Sequence, residues 1–203
     1  RPKARFSWNN APQPLEEWVG RIELLKNITA DWNNPNTHIT SLIGFGGEGK
    51  SSLARQWIEE LTQSANQPDA VFWWGFYENR SVDEFFEAAL KYVSGERIDP
   101  REFQSSNSKA RFIAAMLATG KFLFVLDGFE VMQYQEGDQF GEIQNSDLKE
   151  FLSYFATYDH QSFCMITSRT PLLGLVKFSS FNHRDVDRLS LEDGRALMQN
   201  LGV

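Results

Sequence analysis

Short runs of large apolar residues punctuate the chain. Stretches with apolar residues three or four apart lie between them. HITSLIGF (residues 38–45), AVFWWGFY (70–77), KFLFVLD (121–127) and SFCMITSR (162–169) are the runs. Each is apolar on both faces, as strands covered on both sides of a sheet require. Leu53, Trp57, Ile58 and Leu61 recur at helical spacing within residues 50–61. Residues 81–93 predict a second helix, with Ser81 and Glu84 in the S-x-x-E spacing of a capping box. Residues 108–118 put Phe112, Ala115 and Met116 on one side of a third, and Leu148, Phe151, Leu152 and Phe155 form the stripe of a fourth, opened by Ser146 or Asp147. Trp18, Ile22, Leu25 and Ile28 suggest a helix after Gly20. A last strand is expected over residues 185–189 and a last helix over 190–201, whereas 31–36 (DWNNPN) and 138–145 read as loops. Strands alternating with amphipathic helices predict an α/β fold, a parallel sheet between two helical layers. Residues 1–14, rich in Pro, Asn and basic side chains, read as a linker or N-terminal arm that Phe6 and Trp8 could anchor, and residues 15–203 as one domain.

Composition narrows the function classes. The chain has 203 residues and a formal charge of −7, which speaks against direct nucleic-acid binding. Of the 28 aromatic residues many cluster in the 70–77 run, where core packing explains them without a base-stacking platform. A single cysteine, Cys164, allows no internal disulfide, so a reducing, cytoplasmic compartment is expected, with the thiol packed inertly in mid-strand. No apolar run is long enough to span a membrane, and no signal-peptide pattern is visible. His38, His160 and His183 are far apart in sequence and lack metal-ligand spacing. The start at Arg1 and the stop at Val203 read as a fragment of a longer protein.

The sharpest chemical signal is GFGGEGKSS, residues 44–52. It fits G-x-x-x-x-G-K-[ST] at Gly44, Gly49, Lys50 and Ser51. A loop that wraps a polyphosphate with successive backbone N–H groups needs bare backbone, which Gly46, Gly47 and Gly49 supply. The helix that follows points its positive end at the phosphates. Lys50 is expected to reach the β- and γ-phosphates, Ser51 to bind Mg²⁺ and Ser52 to reach the α-phosphate. Glu48 belongs to the same cradle and reads as solvent-facing, because the backbone does the binding there.

A nucleotide-bound Mg²⁺ also needs a carboxylate at the end of a neighbouring strand. Asp127 closes the KFLFVLD run at that place; the alternative is an Asp that merely begins a turn with Gly128. Glu130, three residues on, is either the general base that polarises water or a surface carboxylate. Arg169 ends the 162–169 run, where it could report a γ-phosphate; otherwise it is an ordinary arginine before Thr170 and Pro171.

Together these elements resemble the nucleotide-binding domain of STAND-class P-loop ATPases, the NACHT and NB-ARC group, and its bacterial members above all. GFGGEGKSSLA is similar to that group's G-x-G-G-x-G-K-[ST]-[ST]-L-A loop, and EWVGRIELL (residues 17–25) to its h-h-G-R-x-x-E-L segment. The resemblance implies backbone contacts from Trp18 and Val19 to adenine, with Arg21 near the nucleotide. It implies a mainly parallel, five-stranded sheet of the additional-strand type, the Arg169 strand lying between the glycine-loop strand and the Asp127 strand. It also implies an ATP/ADP switch controlling self-association and an effector, in signalling or antiphage defence, with effector and sensor domains on the same full-length chain. Gly128 after Asp127, as in NACHT-like members, implies slow ATP hydrolysis or reliance on Glu130. Two other readings stay open: a P-loop enzyme such as a small-molecule kinase, and a non-catalytic scaffold locked on ADP.

Overall fold

The computed structural model describes residues 5–14 and 18–186. Six strands form one all-parallel sheet: β1 (Arg5–Asn9), β2 (Ile39–Ile43), β3 (Ala70–Gly75), β4 (Phe122–Asp127), β5 (Phe163–Ser168) and β6 (Phe181–Asp185). Their order across the sheet is β1-β3-β4-β5-β2-β6, so the strand that leads into Arg169 does lie between those of the glycine loop and Asp127. Helices α1 (Ile22–Asn33) and α2 (Lys50–Thr62) pack on one face, and α3 (Val82–Ser94), α4 (Ser106–Met116) and α5 (Ser146–Thr157) on the other.

The apolar runs build this three-layer arrangement because side chains alternate across each strand. In β4, Phe122, Phe124 and Leu126 face α3–α5, while Leu123 and Val125 face α1 and α2. The first face is an aromatic stack: Phe124 meets Phe72, Phe151 and Phe155 with ring centroids 5.3–6.2 Å apart. On the second face Trp32 and Trp57 meet Phe163, and their indole N–H groups donate to the Asn66 carbonyl and the Thr29 hydroxyl at 2.9 and 3.0 Å. Each large side chain buried this way is worth about 1.5–3 kcal/mol. That exceeds any helix-propensity difference along α1–α5, so the sheet faces rather than local preference hold the helices in place.

Four differences from the sequence reading stand out among the described residues. Among the described residues the sheet has six strands, not five, because the arm contributes β1. That strand pairs with β3, its Trp8 packs on Trp73, and the Arg55 guanidinium lies 3.9 Å over the Trp8 ring. Helix α1 runs on through residues 31–33, which had read as loop. The last strand among the described residues is Phe181–Asp185, which the sequence does not predict. Residues 187–189 of the strand expected over 185–189, and the helix expected over 190–201, lie outside the described residues. The capping box at α3 is half made: the Ser81 hydroxyl accepts from the Glu84 N–H at 3.2 Å, but the Glu84 carboxylate turns to Asn79. A reciprocal box closes instead at α4, between Ser105 and Ser108.

Asp31 ties the end of α1 to β6. It is 3% exposed, at the end of α1. Its carboxylate accepts from Arg184 Nε and Nη2 at 3.0 and 2.6 Å, from Asn182 Nδ2 at 2.8 Å and from the Thr40 hydroxyl at 3.1 Å. A polar strand at the sheet edge is thereby fastened to a buried anion. His160 sits at the amino end of β5, its ring 4.3 Å from that of His38. Its Nδ1 accepts from the Ser162 N–H and its Nε2–H donates to the Phe155 carbonyl, which defines a neutral tautomer. Burial, with His38 beside it, holds its pKa down to about 4.

Two outcomes are expected. Asp31→Ala leaves Arg184 half-buried without its partner and lowers stability by about 2–3 kcal/mol in urea unfolding. His160 is neutral when folded and titrates near 6.5 when unfolded. The unfolded chain therefore binds the extra proton, and stability falls as pH drops from about 6.5 to about 4, by up to about 1.4 kcal/mol per pH unit from this residue. Urea midpoints measured across that window have a shallower pH slope in His160→Gln.

Candidate functional site

Parallel strands bring their carboxyl ends to one edge of the sheet, where open α/β folds place ligands. The loop of residues 44–49 leaves β2 there and turns into α2. Gly47 and Gly49 have φ of 81° and 74°, in the left-handed region where side chains are disfavoured. Gly46 is needed for another reason: a Cβ there would lie 2.9 Å from the Arg169 guanidinium carbon.

A cleft of about 330 Å³ opens above this loop. Gly46, Gly47, Gly49, Lys50, Ser51 and Ser52 form its floor, and Tyr77, Gly128, Glu130, Thr167 and Arg169 its walls. Lys50 is buried, and its ammonium donates to the carbonyls of Gly44 and Phe45 at 2.6 and 2.8 Å. Burial lowers its pKa; Glu130 opposes that shift and Arg169 adds to it. The Ser51 hydroxyl donates to Asp127 Oδ1 at 2.6 Å, and the Thr167 hydroxyl reaches the same oxygen at 2.5 Å. Burial pushes the Asp127 carboxyl up, and the two hydroxyl bonds pull it back. Glu130 is buried too. Its Oε1 accepts from the Tyr77 hydroxyl and pairs with Arg169 Nε at 2.9 Å, while its Oε2 is buried with no hydrogen-bond partner. The Tyr77 phenol is pushed up to about 12 by burial and by the bond to Glu130. It is therefore a proton donor at any physiological pH.

The structure thus brings Gly46, Gly47, Gly49, Lys50, Ser51, Ser52, Asp127, Glu130 and Arg169 to one place. Glu130 is not a surface carboxylate, since it is 6% exposed. Glu48 does not face solvent freely: its carboxylate folds back and accepts from the Phe45 N–H at 2.6 Å, sealing the loop. Gly44 lies behind that contact, where a Cβ would meet Glu48 Oε2 at 2.4 Å. Arg21 starts α1 at φ 59°, with Nη1 3.4 Å from the Cβ position of Gly49. Trp18 and Val19 are half-buried outside the cleft wall, the Trp18 indole donating to the Gly20 carbonyl at 2.8 Å. Tyr77 and Thr167 were not singled out from sequence. Thr167 was within reach of that reading, because the residue before the last of β5 falls level with the last of β4 in a parallel register. Tyr77 carried no signal, as it follows an aromatic run indistinguishable from core.

The residues fit a magnesium nucleotide. Bare glycines, a buried ammonium, a helix amino end and a hydroxyl–carboxylate pair share one cleft. Among the described residues no cluster of three or more His, Cys, Asp or Glu could hold a metal by itself. No helix among them is long and apolar enough to cross a membrane.

Comparisons with known proteins agree with this geometry. The uncharacterized WD repeat-containing protein alr2800 of Nostoc sp. (strain PCC 7120 / SAG 25.82 / UTEX 2576) is 25% identical over 181 residues. That alignment takes in 84% of this chain but 14% of that protein's length. The Aeropyrum pernix ORC1 protein, solved in complex with DNA, superposes with a TM-score of 0.64 at 12% identity, over 93% of this chain and 50% of that one. The Aeropyrum pernix ORC2 protein, solved as ADPNP-ADP complexes, has the same score at 11% identity, over 94% of this chain and 54% of that one. These structures show a shared fold. The NB-ARC domain pattern matches residues 22–203, nearly the whole sequence. This chain therefore belongs to the NB-ARC family, the nucleotide-binding modules of STAND-class P-loop NTPases.

Proposed function

We propose that the cleft binds ATP and ADP with Mg²⁺ and hydrolyses ATP slowly, as the switch site of a bacterial STAND signalling protein. The observation that carries this reading is the 2.6 Å bond between Ser51 and Asp127 at the mouth of the glycine loop. It joins the first turn of α2 to the carboxyl end of β4, the two places from which a P-loop NTPase holds its metal. Ser51 and Asp127 are the residues that would hold Mg²⁺; when bound, the ion supplies charge neutralisation between the β- and γ-phosphates.

The other roles follow from position. The backbone N–H groups of residues 46–52 cradle phosphate oxygens. Lys50 leaves the Gly44 and Phe45 carbonyls for the β- and γ-phosphates, a move favoured because a buried ammonium gains from an anion more than from two carbonyls. Glu130 offers the unpartnered Oε2 to a water as general base. Arg169, about half exposed and already at the cleft, reaches the γ-phosphate. Trp18 and Val19 meet adenine through their backbone, and Arg21 stands near the nucleotide. Glu48 and Gly44 keep the loop closed from behind.

The WD repeats named in the Nostoc relative support a sensor region elsewhere on a longer chain, with self-association and an effector under nucleotide control, in signalling or antiphage defence. The DNA in the ORC1 complex is not carried over, because this chain has a net charge of −7.

Calorimetric titration with ADP and with a non-hydrolysable ATP analogue tests the site. Lys50→Ala is expected to weaken both at least tenfold and to abolish steady phosphate release from ATP. Asp127→Ala is expected to remove the Mg²⁺-dependent part of the affinity and to spare binding without Mg²⁺. No binding by the wild type, or equal loss with and without Mg²⁺, overturns the assignment. Phosphate transfer to an added metabolite favours the kinase reading instead.

A further inference from the structure

Gln133 is fully buried and does not line the cleft. It follows Glu130 by three residues, at the end of the 3-10 turn Phe129–Met132. Its amide nitrogen donates to the Gly141 carbonyl at 2.9 Å, the Thr170 carbonyl at 3.3 Å and the Pro171 carbonyl at 3.0 Å. Its amide oxygen accepts from the Ser168 hydroxyl at 2.6 Å, and that same hydroxyl accepts from the Thr170 N–H at 3.0 Å. Its backbone N–H donates back to the Glu130 carbonyl at 3.1 Å. One side chain thus grips both neighbours of Arg169 in sequence, while its backbone closes the turn that presents Glu130.

Gln135 repeats the link at the surface. Its amide nitrogen donates to the Glu130 carbonyl at 2.7 Å, and its oxygen accepts from the Thr170 hydroxyl at 3.1 Å. Two amides therefore bind the Glu130 turn and the Arg169 loop to each other. A buried amide with every polar atom satisfied is costly to disturb, because each carbonyl it leaves would be stranded away from water.

We infer that Gln133 is a positioning residue that locks Glu130 and Arg169 into one rigid unit, so that the groups facing the γ-phosphate side of the cleft move together. The inference rests on the proposed nucleotide site. It deepens that reading by assigning discrimination between triphosphate and diphosphate to the lock rather than to Arg169 alone. Breaking the lock lets the loop after β5 drift relative to the Glu130 turn. The glycine loop, whose backbone N–H groups hold the phosphates common to both nucleotides, is not part of it.

The readout is the ratio of the dissociation constant for ADP to that for a non-hydrolysable ATP analogue, measured with Mg²⁺ on the full-length protein. Arg169→Ala sets the scale and is expected to change this ratio at least fivefold. Gln133→Met keeps the side-chain volume and removes its hydrogen bonds. It is expected to shift the ratio in the same direction by at least threefold, with ADP affinity within twofold of the wild type. The hydrolysis rate is expected to fall at unchanged KM. Should Gln133→Met not fold, the milder pair Ser168→Ala and Gln135→Ala removes bonds from both ends of the lock and is expected to shift the ratio by at least twofold. A wild-type ratio in whichever of these variants folds, alongside a shifted Arg169→Ala, overturns the inference. An unshifted Arg169→Ala, or no nucleotide binding by the wild type, overturns the site reading beneath it.

Discussion

A single carboxylate oxygen ties the site together. Asp127 Oδ1 accepts from Ser51 on α2 and from Thr167 on β5, while its own backbone ends β4. Three elements remote in sequence meet on that one atom. Burial opposes a charge there, and the two hydroxyl donors favour it, so the carboxylate is held in a state that a cation would relieve. The Thr167 hydroxyl also accepts from the Gly128 N–H at 3.0 Å, which fixes the turn after β4 and hence the direction in which Glu130 leaves it. The Thr167 bridge thus sets Asp127 and Glu130 in one frame.

The loop opposite is organised by a similar economy of contacts. Its two left-handed glycines let the backbone fold tightly enough for Lys50 to turn back on the carbonyls of Gly44 and Phe45. Glu48 satisfies the Phe45 N–H from the other side. The cradle is therefore preformed, its shape held by its own polar groups, and the only large rearrangement the proposed role asks of it is the swing of Lys50. Preorganisation of this kind lowers the cost of binding, since little backbone freedom remains to be lost.

Much of this was legible in the sequence because glycine spacing and two-sided apolar runs are strong constraints. Residues 44–52 can be read only against a strand before and a helix after, and β2 and α2 are there. Asp127 was readable because a carboxylate ending a fully apolar run has one natural place in a parallel sheet. Strand β6 was not readable: FNHRD has no apolar alternation, and its place depends on Asp31, more than 150 residues away in the hydrogen-bonding pattern. Strand β1 hid for a related reason. An edge strand needs one hydrogen-bonding neighbour and one covered face, so its residues keep the composition of a loop. Phe6 and Trp8 carried the hint, and the packing of Trp8 on Trp73 is a tertiary fact.

The same contrast separates the two kinds of buried polar residue in this chain. Asp31 and His160 lie away from the cleft, and each is matched by fixed donors or acceptors within the fold. Glu130 differs, because one of its oxygens is sealed from solvent and left without a donor. An unpartnered buried acceptor costs stability, and the proposed role of Glu130 as general base would give that atom a use. The amides of Gln133 and Gln135 hold that oxygen's backbone in place from behind, and Tyr77 and Arg169 hold its partner oxygen from the front. One carboxylate of the cleft lining thus has one oxygen held on both sides and the other buried without a donor.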